Sequence, residues 1–88
     1  MELCKPMLRE FLSAHAEAIR KQRKLSQEQM AEKLSITPRA YSNLKSGKFC
    51  FSTPPLLNLL LMFDSNEFES FQMKLRESMA SVENLYES

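Results

Sequence analysis

One glycine, Gly47, in a chain of 88 residues leaves little material for tight β-turns. No stretch alternates apolar and polar residues for long, so strands have no sequence support. Apolar residues recur instead at intervals of three and four, and the chain is expected to fold as helices alone. From Pro6 to Arg23, the residues Leu8, Phe11, Leu12, Ala16 and Ile19 form one amphipathic stripe, with Pro6 suited to a first turn. Ser26 and Gln29 have the spacing of a capping box, and Leu25 and Met30 that of a hydrophobic staple. Together they predict a short helix over about 27–34, with Met30, Ala31 and Leu34 inward. Thr37 as cap and Pro38 at the first helical position begin another, with Tyr41 and Leu44 inward and Gly47 supplying a left-handed stop.

Ser52 is the next candidate cap. Leu56 to Phe63 is nearly all apolar, which predicts a helix buried on most sides. Asp64-Ser65-Asn66 breaks it. A last helix over about 66–86 carries the stripe Phe68, Phe71, Leu75, Met79, Val82 and Leu85 or Tyr86. The expected architecture is a single domain over 1–88, an all-α five-helix bundle with extended first and last helices.

Composition removes several functions. Hydrophobic residues at 43% and charged residues at 26% are ordinary for a soluble globular domain. Two cysteines, Cys4 and Cys50, are too few for a disulfide framework or a four-cysteine metal site. They read as free thiols acting as small hydrophobes in a reducing cytosol. The lone histidine, His15, excludes a multi-histidine centre and reads as a core-edge residue. The six methionines sit mostly at core spacing. With no Gly-rich loop and no nucleophile–base pair, neither enzymatic activity nor a cofactor is expected. The longest apolar run, Leu59 to Phe63, is far short of the roughly 20 residues that span a bilayer. The first twelve residues lack the apolar core of a secretory signal, so the expected location is cytoplasmic, with no membrane contact.

The net charge of +1 conceals an uneven distribution. Residues 20–48 carry Arg20, Lys21, Arg23, Lys24, Lys33, Arg39, Lys45 and Lys48 against Glu28 and Glu32, a net of +6. Residues 1–19 sum to −1 and residues 49–88 to −4. A basic middle between acidic ends suits a surface that meets a polyanion.

The two short central helices are separated only by Ser35, Ile36 and Thr37, a helix-turn-helix spacing. The run Leu25-Ser26-Gln27-Glu28-Gln29-Met30-Ala31-Glu32-Lys33-Leu34, continued to Leu44-Lys45-Ser46-Gly47, resembles the lambda-repressor-like, Cro/CI-type (XRE) family. The resemblance covers about residues 16–63, with the motif itself at about 26–47. It implies a five-helix bundle whose third helix reads the major groove. It further implies a sequence-specific DNA-binding transcriptional regulator, a repressor-type switch that binds double-stranded DNA as a homodimer on a near-palindromic operator.

Carried over residue by residue, Gln27 matches a contact to the DNA backbone, where a helix N-terminus also attracts phosphate. Pro38, Arg39 and Asn43 match base-reading positions. Arg can grip guanine O6 and N7, and Asn can pair with adenine N6 and N7. Lys45, Ser46 and Lys48 match a phosphate clamp, and Thr37 and Ser42 complete the DNA-binding set. Three residues depart from the family pattern. Ser35 stands where Gly is frequent, at a left-handed position that costs a serine roughly 1–2 kcal/mol. Lys45 stands where an acid often pairs with the arginine matched by Arg20. Pro38 replaces a frequent side-chain reader and leaves only apolar readout there. The final helix outlasts the family core and is a candidate dimer contact. The alternative function is a protein-interaction module, such as the antitoxin of a toxin–antitoxin pair, for which the apolar loop Phe49-Cys50-Phe51 is the pointer.

Overall fold

The structure, a computed structural model, describes residues 6–87, with side chains described for 7–80. Five helices follow one another: α1 (Pro6–Gln22), α2 (Gln27–Leu34), α3 (Pro38–Lys45), α4 (Thr53–Met62) and α5 (Ser65–Glu87). No strand occurs among the described residues. The expected all-α five-helix bundle with a helix-turn-helix is therefore the observed one, with long α1 and α5.

Local chemistry explains where the helices start. Ser26 Oγ accepts from the Gln29 backbone N–H at 3.0 Å, while Gln29 Oε1 accepts from the Ser26 N–H at 2.8 Å, completing the capping box of α2. Thr37 Oγ1 accepts from the Ala40 N–H at 3.0 Å and caps α3, with Pro38 next. Ser52 occupies the cap position of α4, but its side chain makes no capping bond. Thr53, Pro54 and Pro55 open that helix, and two prolines remove two of the donors such a cap would satisfy. Asp64 does more than break the chain. Its Oδ1 accepts from the Glu67 N–H at 2.7 Å and its own N–H donates to Glu67 Oε1 at 2.9 Å, a second capping box that starts α5 at Ser65.

The ends of α1, α2 and α3 share one device. Lys24, Ser35 and Gly47 have φ of 57°, 61° and 79°. After each, an N–H reaches back over the last turn: Leu25 to the Arg20 carbonyl, Ile36 to Ala31 and Lys48 to Asn43. These are Schellman closures. Only the third uses glycine; the other two retain the roughly 1–2 kcal/mol steric cost of a left-handed side-chain-bearing residue.

The core joins α1 through Ala16 and Ile19, α2 through Met30, Ala31 and Leu34, α3 through Tyr41 and Leu44, and α4 through Leu59. Phe51, from the loop before α4, completes it. Beside this core, α5 packs on α1 by aromatic contact. Phe71 lies 5.5 Å from Phe11, 5.1 Å from His15 and 5.0 Å from Phe63, ring centre to ring centre. His15 Nδ1 is 2.8 Å from the Phe11 carbonyl, which makes it the core-edge residue expected.

Four expectations need correction. The helix expected to be buried on most sides, α4, buries Pro55 and Leu59 but leaves Leu57 and Leu61 in solvent. A uniformly apolar run carries no periodicity to distinguish its faces. The loop Phe49-Cys50-Phe51 is not uniformly exposed, because Phe51 is core while Phe49 points outward. Cys50 is not a free thiol but disulfide-bonded; the same expectation for Cys4 lies outside the described residues. Of the methionines, Met30 is buried, yet Met7, Met73 and Met79 are exposed. The stripe residues Val82, Leu85 and Tyr86 lie beyond the described side chains.

One ion pair lies within α1 and another ties the end of α1 to α5. Arg20 grips Glu17 with Nε and Nη2, both at 2.9 Å, and donates Nη1 to the Leu25 carbonyl; the Tyr41 hydroxyl also donates to Glu17. Arg23 grips Glu67 on α5 at 2.6 and 2.9 Å and donates to the Met62 carbonyl. Hydrogen bonds from Arg23, with help from the Asp64 backbone, hold the Glu67 carboxyl down at about 2. Arg20, with Tyr41, lowers that of Glu17. Both folded-state values lie below the ordinary 4.5, so this stabilisation is complete above it and lost as pH falls toward the folded values. The melting temperature, followed by circular dichroism, is therefore expected to drop between about pH 4.5 and 2. Glu67→Gln should flatten part of that drop. A Glu67→Gln profile parallel to the wild type would show that the Arg23 pair contributes nothing.

Candidate nucleic-acid interface

α3 lies across α2 with Tyr41 and Leu44 turned into the core. Helical geometry then places Pro38, Arg39, Ser42, Asn43 and Ser46 on the opposite side. Pro38, Arg39, Ser42 and Ser46 are exposed, while Asn43 is half-buried beside Ile36, Phe49 and Cys50. Lys45 is exposed at the end of the helix, and Lys48 in the turn after it. Thr37 is exposed, with its hydroxyl oxygen engaged as the cap acceptor. Gln27 is half-buried at the first position of α2. The Ser46 hydroxyl donates to the Asn43 carbonyl at 3.0 Å, which fixes it against its own helix.

Several residues that hold this face carry no signal in the sequence. Arg9 Nε on α1 donates to the Gly47 carbonyl at 3.1 Å, tying down the exit of α3. Asn58 Nδ2 on α4 donates to the Leu34 carbonyl at 3.1 Å and so closes the end of α2 at the turn. Glu17 supplies Arg20 with an acid that position 45 lacks, and couples the pair to α3 through Tyr41. Burial and the Glu17 carboxylate push the Tyr41 phenol up, so it stays a donor. These partners lie 24 to 38 residues apart, and no spacing signal announces them. Within the basic cluster, Arg20 and Arg23 are occupied by ion pairs, whereas Lys21 and Lys24 are exposed.

A family model described as a helix-turn-helix domain matches residues 17–73. That is well over half of the chain, and it contains α2, the turn and α3 complete. The chain belongs to the helix-turn-helix family of the Cro/CI (XRE) type. Neither the curated proteins nor the solved structures yield a match. A helix-turn-helix domain of this type is the module of DNA-binding regulators, typically without enzymatic activity. No helix among the described residues is long and apolar enough to cross a membrane.

Proposed function

We propose that this single helix-turn-helix domain, residues 1–88, is a sequence-specific transcriptional regulator of repressor type that binds a near-palindromic DNA operator as a homodimer. The observation that carries this reading is α3: a capped helix with two side chains in the core and a polar, cationic face toward solvent. Such a helix enters the major groove, whose base edges offer a distinct donor and acceptor pattern for each pair. Arg39 and Asn43 read bases, Pro38 makes apolar contact, and Ser42 lies between them. Thr37 and Gln27 meet the backbone at helix starts, where N–H groups and dipole favour phosphate. Lys45, Ser46 and Lys48 clamp phosphate at the other end of α3. The α5 helix, 23 residues and about 34 Å long, exceeds what the small core covers and takes part in the dimer. A two-fold dimer sets two copies of α3 about 34 Å apart, matching half-sites one turn apart.

Selection of bound sequences from random duplex DNA is expected to recover a motif with two-fold symmetry. On that motif, affinity should fall steeply with salt. Neutralising about five phosphates corresponds to a slope of log K against log salt near −4 to −5. Folded protein that binds no duplex at about 50 mM salt, where phosphate contacts are strongest, would overturn the reading.

A further inference from the structure

Cys50 carries a covalent bond that DNA binding as such does not require. It is disulfide-bonded and half-buried in the loop between α3 and α4. The sequence contains one other cysteine, Cys4, two residues before the start of α1. A separate contact already brings these two regions together: Arg9 Nε, in the first turns of α1, donates to the Gly47 carbonyl at 3.1 Å. Cys4 lies five residues before Arg9, and Cys50 three residues after Gly47.

The loop that holds Cys50 continues directly from the proposed phosphate clamp. Lys45 and Ser46 end α3, Gly47 turns the chain at φ 79°, and the Lys48 N–H closes on the Asn43 carbonyl. Phe51 then anchors the loop in the core, while Phe49 stays exposed. Cys50 and Phe49 line a small cavity together with Asn43, the proposed adenine reader. A covalent tether at residue 50 therefore restrains the segment that carries Lys48 and sits against Asn43.

We infer that Cys50 is bridged to Cys4 and that this bridge is a reversible thiol–disulfide switch, which holds the clamp end of α3 against α1 when closed. The inference rests on the DNA-binding reading above and adds its regulation. In closing, one cysteine thiolate attacks a small disulfide of the glutathione type and releases one small thiol. The second cysteine attacks the resulting mixed disulfide, forming the Cys4–Cys50 bond and releasing the second small thiol. Two protein thiols are oxidised, one small disulfide is reduced, and the two protons leave on the two small thiols. Cys50 is only half-buried, which leaves the bond open to this exchange. Disulfides that meet a cellular thiol pool are usually transient and redox-sensing. Closed, the clamp needs less ordering on DNA, so the oxidised chain binds more tightly.

The intact mass of the full chain, oxidised with glutathione disulfide, is expected to rise by two hydrogens on treatment with dithiothreitol. A tryptic digest of the oxidised chain should yield one peptide pair joined through Cys4 and Cys50; a Cys50–Cys50 pair between chains overturns the bridge. In glutathione mixtures from fully reduced to fully oxidised the bond should open and close reversibly, and a bond closed throughout overturns the switch. On the selected duplex, anisotropy titration is expected to show affinity falling roughly 2- to 10-fold on reduction, the cost of ordering one long side chain again. Cys4→Ser and Cys50→Ser should bind like the reduced wild type with or without dithiothreitol. Cys4→Ser leaves Cys50 beside Asn43, so it carries the test if Cys50→Ser fails to fold. Equal affinity of the oxidised and reduced wild type overturns the switch while leaving DNA binding standing. Folded protein that binds no duplex in either state overturns the DNA reading. Amide exchange at residues 47–51 then decides the switch: it is expected to be slower in the oxidised chain, and equal exchange overturns it.

Discussion

Leu34→Ala is expected to cost about 2–5 kcal/mol of folding stability, a large fraction of the roughly 4–13 kcal/mol that a domain of this size possesses. Leu34 is 0% exposed and lies at the last position of α2. Its side chain belongs to the cluster joined by Tyr41 and Leu44 of α3 and Leu59 of α4, and its carbonyl accepts from Asn58. Three helices therefore surround the void that alanine would leave, and a void loses dispersion contacts on every side. Ser35, directly after it, already holds a left-handed conformation with φ 61°, so the turn has little strain to spare. Urea unfolding followed by circular dichroism measures the cost. Leu57→Ala, at an exposed leucine of α4, should stay within about 0.5 kcal/mol of the wild type in the monomeric fold. Equal costs for the two variants would mean that the core is not where the structure places it. DNA affinity should fall for Leu34→Ala only in proportion to the fraction unfolded.

Arg39→Ala and Asn43→Ala are each expected to weaken binding to the preferred duplex by roughly 1–3 kcal/mol, about 5- to 150-fold, and to relax preference at one base position. Each side chain forms two hydrogen bonds to one base edge in the proposed complex, and alanine leaves those edge groups unpaired while retaining the helix. Arg39 is exposed and Asn43 half-buried, so neither substitution opens the core. Lys45→Ala and Gln27→Ala act differently. They remove contacts to the uniform phosphate backbone, so they should weaken cognate and random duplexes about equally, and Lys45→Ala should reduce the salt slope by about one. Anisotropy titrations on the selected motif, on single-base variants and on random duplex separate the two patterns. If all four variants weakened cognate and random DNA alike, α3 would not be the reading helix.

What the sequence determined by itself is local. The capping box of Ser26 and Gln29, the Thr37 cap, the stop at Gly47 and the three-residue turn each depend on groups within about four residues of one another. Their hydrogen bonds are set by chain geometry before any helix meets another. The outward placement of Arg39 and Ser42 also follows, because Tyr41 and Leu44 are strongly apolar and the helical period fixes the opposite side. The all-α class follows from the same periodicity.

Only the tertiary structure decided the rest. α4 is apolar on nearly every side, so its sequence has no amphipathic signal, and only its packing against α2 selects Leu59 for the core and Leu61 for solvent. Phe49 and Phe51 are the same residue type two positions apart, and only the path of the loop buries one of them. The pairs Arg9 with Gly47, Glu17 with Tyr41, Asn58 with Leu34 and Arg23 with Glu67 span 24 to 44 residues. Such contacts exist only after the helices have docked, because each bond is short-ranged and the chain between its partners carries no information about their distance.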